Sequence, residues 1–151
     1  MGDMRDDTLG EIETQIAFLM RLGEATRRST GIAPHRALDR AAYVILRHLA
    51  DGPLTVTTLA DRLNLDGSTV TRQVAVLEND GLVGREPDPR DGRSNLIAAT
   101  PAGLRSVEQV SDARRELYGR ILADWSEEDR AQLGTMLSRL NESLESFVRK
   151  R

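Results

Sequence analysis

Apolar positions recur every three or four residues along most of this chain. Leu9, Ile12, Ile16, Leu19 and Met20, with Phe18 beside them, predict a helix over Leu9–Arg28. Ser29–Pro34, with Gly31 and Pro34, reads as a loop. Leu38, Ala41, Ala42, Ile45, Leu46 and Leu49 mark a second helix, stopped at Asp51-Gly52-Pro53. Thr55 is placed to cap a short third helix that buries Leu59, Ala60 and Leu63. After the tight connection Asn64–Gly67, Asp66 is placed to cap a fourth helix that runs to Asp80 and ends at Gly81. The period then shortens. Leu82–Glu86 and Arg93–Ala99 read as two strands around the turn-rich tip Pro87–Gly92. Thr100-Pro101 restarts a helix carrying Leu104, Val107, Val110, Leu117 and Ile121. Ser126 followed by Glu127, Glu128 and Asp129 opens a last helix with Leu133, Met136, Leu137, Leu140, Leu144, Phe147 and Val148.

The fold class this predicts is mainly α with a small β-hairpin wing. Three helices followed by a hairpin make a winged helix–turn–helix over residues 36–99. It is flanked by helices at 8–30 and 100–148 that a module this small does not need for its own core. These are expected to pair with a second copy of the chain, since two-fold dimers are the commonest oligomer.

Composition narrows the picture. A length of 151 residues fits a single domain. The absence of cysteine excludes disulfides, thiolate metal sites and thiol redox sensing. No apolar run is long enough to span a membrane and no signal peptide is visible, so a cytoplasmic location is expected. The net charge of −3 argues mildly against a nucleic-acid partner, but residues 1–13 alone sum to −4, so the rest sums to +1. Lys150 is the single lysine among 21 basic residues; the others are Arg, whose planar fork suits phosphate and guanine.

On the fourth helix, Val70, Val74 and Leu77 share one side. Ser68, Thr69, Arg72, Ala75 and Val76 fall opposite, with Thr71 and Gln73 on the flanks. Small, hydroxylated and Arg positions suit a major groove: Ser and Thr bond bases or phosphate, Arg suits guanine, Gln suits adenine, and Ala or Val methyls meet a thymine methyl. Capping by Ser68 and Thr69 and a local ion pair of Arg72 are the alternative. Arg90 and Arg93 flank Asp91-Gly92 at the hairpin tip, where an Arg on a thin loop can enter a minor groove. Asp91 is expected to hold Arg93 extended through a salt bridge. From Arg62 to Arg93 five Arg face six acids, a local sum of −1. This charge supports a rival reading, a winged protein-interaction module that reads no DNA. It also implies useful affinity only when two modules bind together.

The series Leu59-Ala60-Asp61-Arg62-Leu63, Ser68-Thr69-Val70-Thr71-Arg72, Leu77–Val83, Asp88-Pro89-Arg90-Asp91-Gly92-Arg93-Ser94 and Thr100-Pro101-Ala102-Gly103 resembles the MarR family of bacterial transcriptional regulators. The resemblance implies a single MarR-like domain over 1–151 that forms a homodimer, with terminal helices at the interface and two winged modules on a palindromic operator. Half-sites would lie roughly 34–36 Å apart. It implies a recognition helix at Asp66–Asp80, a wing at Leu82–Ala99 and a wing arginine at Arg93 held by Asp91. The DNA-binding residues expected are Ser68, Thr69, Thr71, Arg72, Gln73, Arg90, Asp91 and Arg93. Ala75 and Val76 stand where relatives commonly carry polar or charged groups, and Gly92 where many carry a second Arg.

Such regulators usually act as repressors released by a small aromatic or anionic ligand. Near the pocket this implies lie His35, Tyr43, Arg47 and His48; Arg and Tyr could hold an organic anion, and packing and surface roles are the alternative. His35 and His48 lie 13 residues apart without a ligand-spaced partner, so no metal is expected. Trp125 is expected to be a packing anchor. No catalytic constellation is present: there is no glycine-rich phosphate loop, GxSxG or HExxH, so neither an enzyme nor a cofactor is expected. Repression and activation use the same contacts and differ in where the operator lies.

Overall fold

The computed structural model describes residues 3–29 and 40–150. The elements run α1 (Asp3–Ser29), α2 (Arg40–Leu49), β1 (Leu54–Thr55), α3 (Val56–Leu63), α4 (Gly67–Asn79), β2 (Val83–Asp88), β3 (Asp91–Ala99), α5 (Pro101–Ile121) and α6 (Glu127–Arg149). α1 forms one compact unit and the other elements a second. The loop expected at Ser29–Pro34 lies, apart from Ser29, outside the described residues, as do His35 and Leu38. α1 starts at Asp3 rather than Leu9, because polar residues extend a helix beyond the apolar stripe that marks it.

Helix ends follow local chemistry. The hydroxyls of Thr55, Thr100 and Ser126 each accept a backbone N–H three residues on, from Thr58, Gly103 and Asp129, at 3.1 Å. Asn64 ends α3 in the left-handed region, which Asn tolerates, and the Leu65 N–H closes onto the Ala60 carbonyl at 2.9 Å. Gly81 ends α4 at φ 72°, and the Leu82 N–H returns to the Leu77 carbonyl at 2.9 Å. Asp66 departs from expectation. It stands at the N-cap position of α4 with extended backbone, but its carboxylate makes no cap hydrogen bond.

The core lies in the second unit. Ile45, Leu46 and Leu49 of α2, Leu59 and Ala60 of α3, and Val70, Val74 and Leu77 of α4 pack with Leu82, Val83, Ile97 and the α5 residues Val107 and Val110. Among the described residues no polar or charged side chain is buried with them. The sheet has one strand more than expected: β1 pairs antiparallel with β3, giving the order β1-β3-β2. Thr55 thus both pairs with Leu96 and caps α3, so the start of the helix–turn–helix is tied to the wing.

The wing is tied to α5 by close approach. Thr100 donates from its hydroxyl to the Gly81 carbonyl at 2.7 Å and from its N–H to the Leu82 carbonyl at 3.0 Å. A Cβ on Gly103 would overlap that Leu82 carbonyl and crowd Leu46, so only glycine fits there. Beyond Val110 the apolar residues of α5 lose cover, and Tyr118 and Ile121 are exposed. Arg130 secures the bend between α5 and α6, donating to the carbonyl oxygens of Leu122 (2.7 and 3.0 Å) and Ala123 (3.2 Å). No residue of α6 is buried. Trp125, at the bend, is 45% exposed and so anchors no core. No described helix is long and apolar enough to cross a membrane.

Candidate nucleic-acid interface

α3, the connection at Asn64–Asp66 and α4 form the helix–turn–helix. The buried side of α4 is Val70, Val74 and Leu77, as its spacing predicts. Ser68, Thr71, Arg72, Ala75 and Val76 are exposed, while Thr69 and Gln73 are half-buried. The Thr71 hydroxyl donates to the Gly67 carbonyl at 2.8 Å within the helix, which leaves its methyl group and oxygen lone pair for other contacts. Among the described residues Arg72 meets no carboxylate; its guanidinium reaches the Thr69 hydroxyl, at 3.5 Å. The expected alternative, a local ion pair for Arg72, is absent among the described residues. Gln73, expected on a flank of the helix, is half-buried there. Its Oε1 is buried without a hydrogen-bond partner. Val70 and Val74, on the core side of the helix, are fully buried.

The wing tip is shorter than the sequence suggests. β2 and β3 extend to Asp88 and Asp91, so the turn itself is Pro89-Arg90. The register passes from Pro87↔Asn95 to Asp88↔Asp91, which places Gly92, Arg93 and Ser94 in a bulge. A bulge re-aims side chains and increases local twist. Asp91 corrects one expectation. Its carboxylate accepts the Arg93 backbone N–H at 3.0 Å rather than pairing with the Arg93 guanidinium. Asp88 does the same for the Arg90 N–H at 2.9 Å. Aspartate two residues before an N–H forms such turns readily. These acids therefore shape the tip, and the Arg90 and Arg93 side chains have no acid partner among the described residues.

The pairing also changes the charge picture. Of the six acids between Arg62 and Arg93, Glu78 is held by Arg85 at 2.8 Å, and Asp88 and Asp91 hold backbone. Among the described residues Arg72, Arg90 and Arg93 keep guanidinium groups without an ion-pair partner, on one helix and one tip. A site of this kind can meet phosphate and base edges without first breaking ion pairs.

The ligand residues expected from sequence separate. Tyr43 lines a cleft of about 400 Å³, together with Ser111, Arg114, Arg115 and Tyr118 of α5 and Arg130 of α6. The Arg114 guanidinium lies over the Tyr43 ring, 4.2 Å from its centre. Arg115 pairs with Asp112 at 3.5 Å, and Arg130 is committed to the bend. Arg47 is exposed and His48 half-buried, and neither lines the cleft. His35 lies outside the described residues. The guanidinium beside the tyrosine thus comes from α5, far from α2 in sequence. Among the described residues no cluster of three or more His, Asp or Glu is placed to hold a metal.

The fold and this interface define a winged helix–turn–helix protein. Comparison with known proteins gives the family. The MarR family model matches residues 38–94. An uncharacterized HTH-type transcriptional regulator of Bacillus subtilis, YxaD, is 37% identical over 134 residues, 88% of this chain and 90% of that protein. The HTH-type transcriptional repressor IacR of Pseudomonas putida is 34% identical over 80 residues, 53% of this chain and 48% of that protein. A MarR family protein structure from Bacillus stearothermophilus matches with a TM-score of 0.77 at 26% identity, over 92% of this chain and 96% of that one. The chain belongs to the MarR family, whose members are DNA-binding transcription regulators and not enzymes.

Proposed function

We propose that this chain is a homodimeric repressor that reads a palindromic operator with α4 and the wing tip, and that a small anionic aromatic ligand releases it. The observation that carries this reading is a set of guanidinium groups with no acid partner among the described residues, Arg72 on α4 and Arg90 and Arg93 at the tip, together with the hydroxyls of Ser68, Thr69 and Thr71 on α4. In this assignment Arg72 contacts a base in the major groove and Arg93 lies in the minor groove. Ser68, Thr69 and Thr71 bond phosphate or base edges. Gln73 reaches DNA only by turning out of its half-buried position. Asp91 serves by fixing the backbone at Arg93.

Dimerisation is supported by α6. Met136, Leu137, Leu144, Phe147 and Val148 are each at least 40% exposed on a helix with no buried residue. Apolar stripes of this kind mark interaction sites. Repression is supported by the name of the Pseudomonas putida relative. Release by a ligand is supported by the Tyr43–Arg114 cleft, which lies against α2 of the winged module and is of ligand size. An aromatic carboxylate would stack on tyrosine and pair with Arg114. A peroxide response through a thiol is closed to a chain without cysteine.

The test is selection of a duplex from a random pool by the purified protein, repeated with benzoate and salicylate. A palindromic sequence bound by two chains, and weakened by one of these acids, is expected. A dimer indifferent to every duplex would favour the protein-interaction module instead.

A further inference from the structure

We infer that Val76 is a base-specificity contact, packing its isopropyl group against the 5-methyl group of a thymine in the major groove. The inference rests on the DNA-reading role proposed for α4. Val76 is 61% exposed. Among the described residues from 40 to 99, only Leu65 and Val76 are exposed large apolar side chains. The other valines of α4, Val70 and Val74, are fully buried. Among the described residues Val76 belongs to no core cluster. It adds nothing to the core, and a β-branched residue on an exposed helix surface lowers helix propensity.

Its position explains it. Val76 follows Thr69 by seven residues and Arg72 by four, so at 100° per residue the three share one face. The single acid of α4, Glu78, lies well round the helix from Val76 and is held by Arg85 at 2.8 Å. From Thr69 to Val76 the face therefore presents a hydroxyl, a guanidinium and an apolar group in order, and the exposed Asp80 follows only one turn beyond Val76, at the end of the helix. In the major groove the base edges offer one apolar group, the thymine methyl. Four residues of helix rise about 6 Å, or roughly two base-pair steps. The thymine should lie about that far from the guanine that Arg72 reads.

The experiment uses full-length wild type and Val76→Ala, with duplexes selected from a random pool. Val76 is exposed, so the variant should fold, and its thermal melt is compared with wild type to check this. Each thymine of the selected duplex is replaced in turn by deoxyuridine, which removes only the methyl group. At one position per half-site, wild type should bind about fourfold more weakly, equivalent to ~0.8 kcal/mol. Val76→Ala should not distinguish thymine from deoxyuridine there. If wild type binds the duplex tightly yet ignores every substitution, or if both proteins respond alike, the Val76 assignment is wrong while DNA reading by α4 stands. If no duplex is enriched, both fail.

Discussion

The winged module and α6 carry apolar residues at similar helical spacing, yet they end differently. In the module Ile45, Leu46, Leu59, Val70, Val74 and Ile97 are fully buried. In α6 Leu133 and Leu140 are only half-covered, while Met136, Leu137, Leu144, Phe147 and Val148 stay exposed. The difference is one of partners. Strands β1 to β3 and helices α2 to α5 close a core around the first set. The second set has caps and length, but no residue of α6 is buried. An amphipathic stripe specifies that something must cover it and leaves open whether that is the same chain.

Substitutions at matched positions separate the two regions. Leu46→Ala removes a fully buried side chain and should cost about 2–5 kcal/mol in urea unfolding. Leu144→Glu with Phe147→Glu should leave the module folded and convert dimers to monomers in sedimentation, each losing about 1.5–3 kcal/mol of interface burial. If that double variant unfolds the module instead, α6 belongs to the core after all. Gly103→Ala tests the close approach of α5 to the wing within the module. Its methyl group would press the Leu82 carbonyl and Leu46, so a loss of about 1–3 kcal/mol is expected, with the wing displaced from α5. Unchanged stability would mean that this approach relaxes freely. The smallest effect is expected for Glu78→Gln. The Arg85–Glu78 pair is partly exposed, so thermal stability should fall by less than about 1 kcal/mol. DNA affinity should hold or rise as an acid is removed.

The sequence was most legible where chemistry is local. The caps at Thr55, Thr100 and Ser126, the stop at Gly81 and the buried face of α4 follow from neighbours a few residues away. β1 was not legible, because two residues show no alternation and Thr55 already reads as a cap. Asp66 stands at the expected position without bonding, since position alone does not orient a carboxylate. The wing tip is legible only in outline. Proline and glycine signal a turn, but pairing carried the strands to Asp88 and Asp91 and made Gly92–Ser94 a bulge. Asp91 then found a backbone N–H before a guanidinium. The cleft is half legible: the sequence points to Tyr43, but its arginine partner is Arg114. On α5 that arginine reads as an ordinary polar flank until the tertiary fold brings it over the ring.

The proposal that guanidinium groups freed from acid partners grip DNA is open to a salt titration. Affinity for the selected duplex would be measured for wild type and Arg93→Ala from low to high salt. Wild type should weaken steeply, and Arg93→Ala should bind more weakly to all sequences with a slope shallower by roughly one for each chain bound. Superimposable lines, or affinity independent of salt, would contradict it.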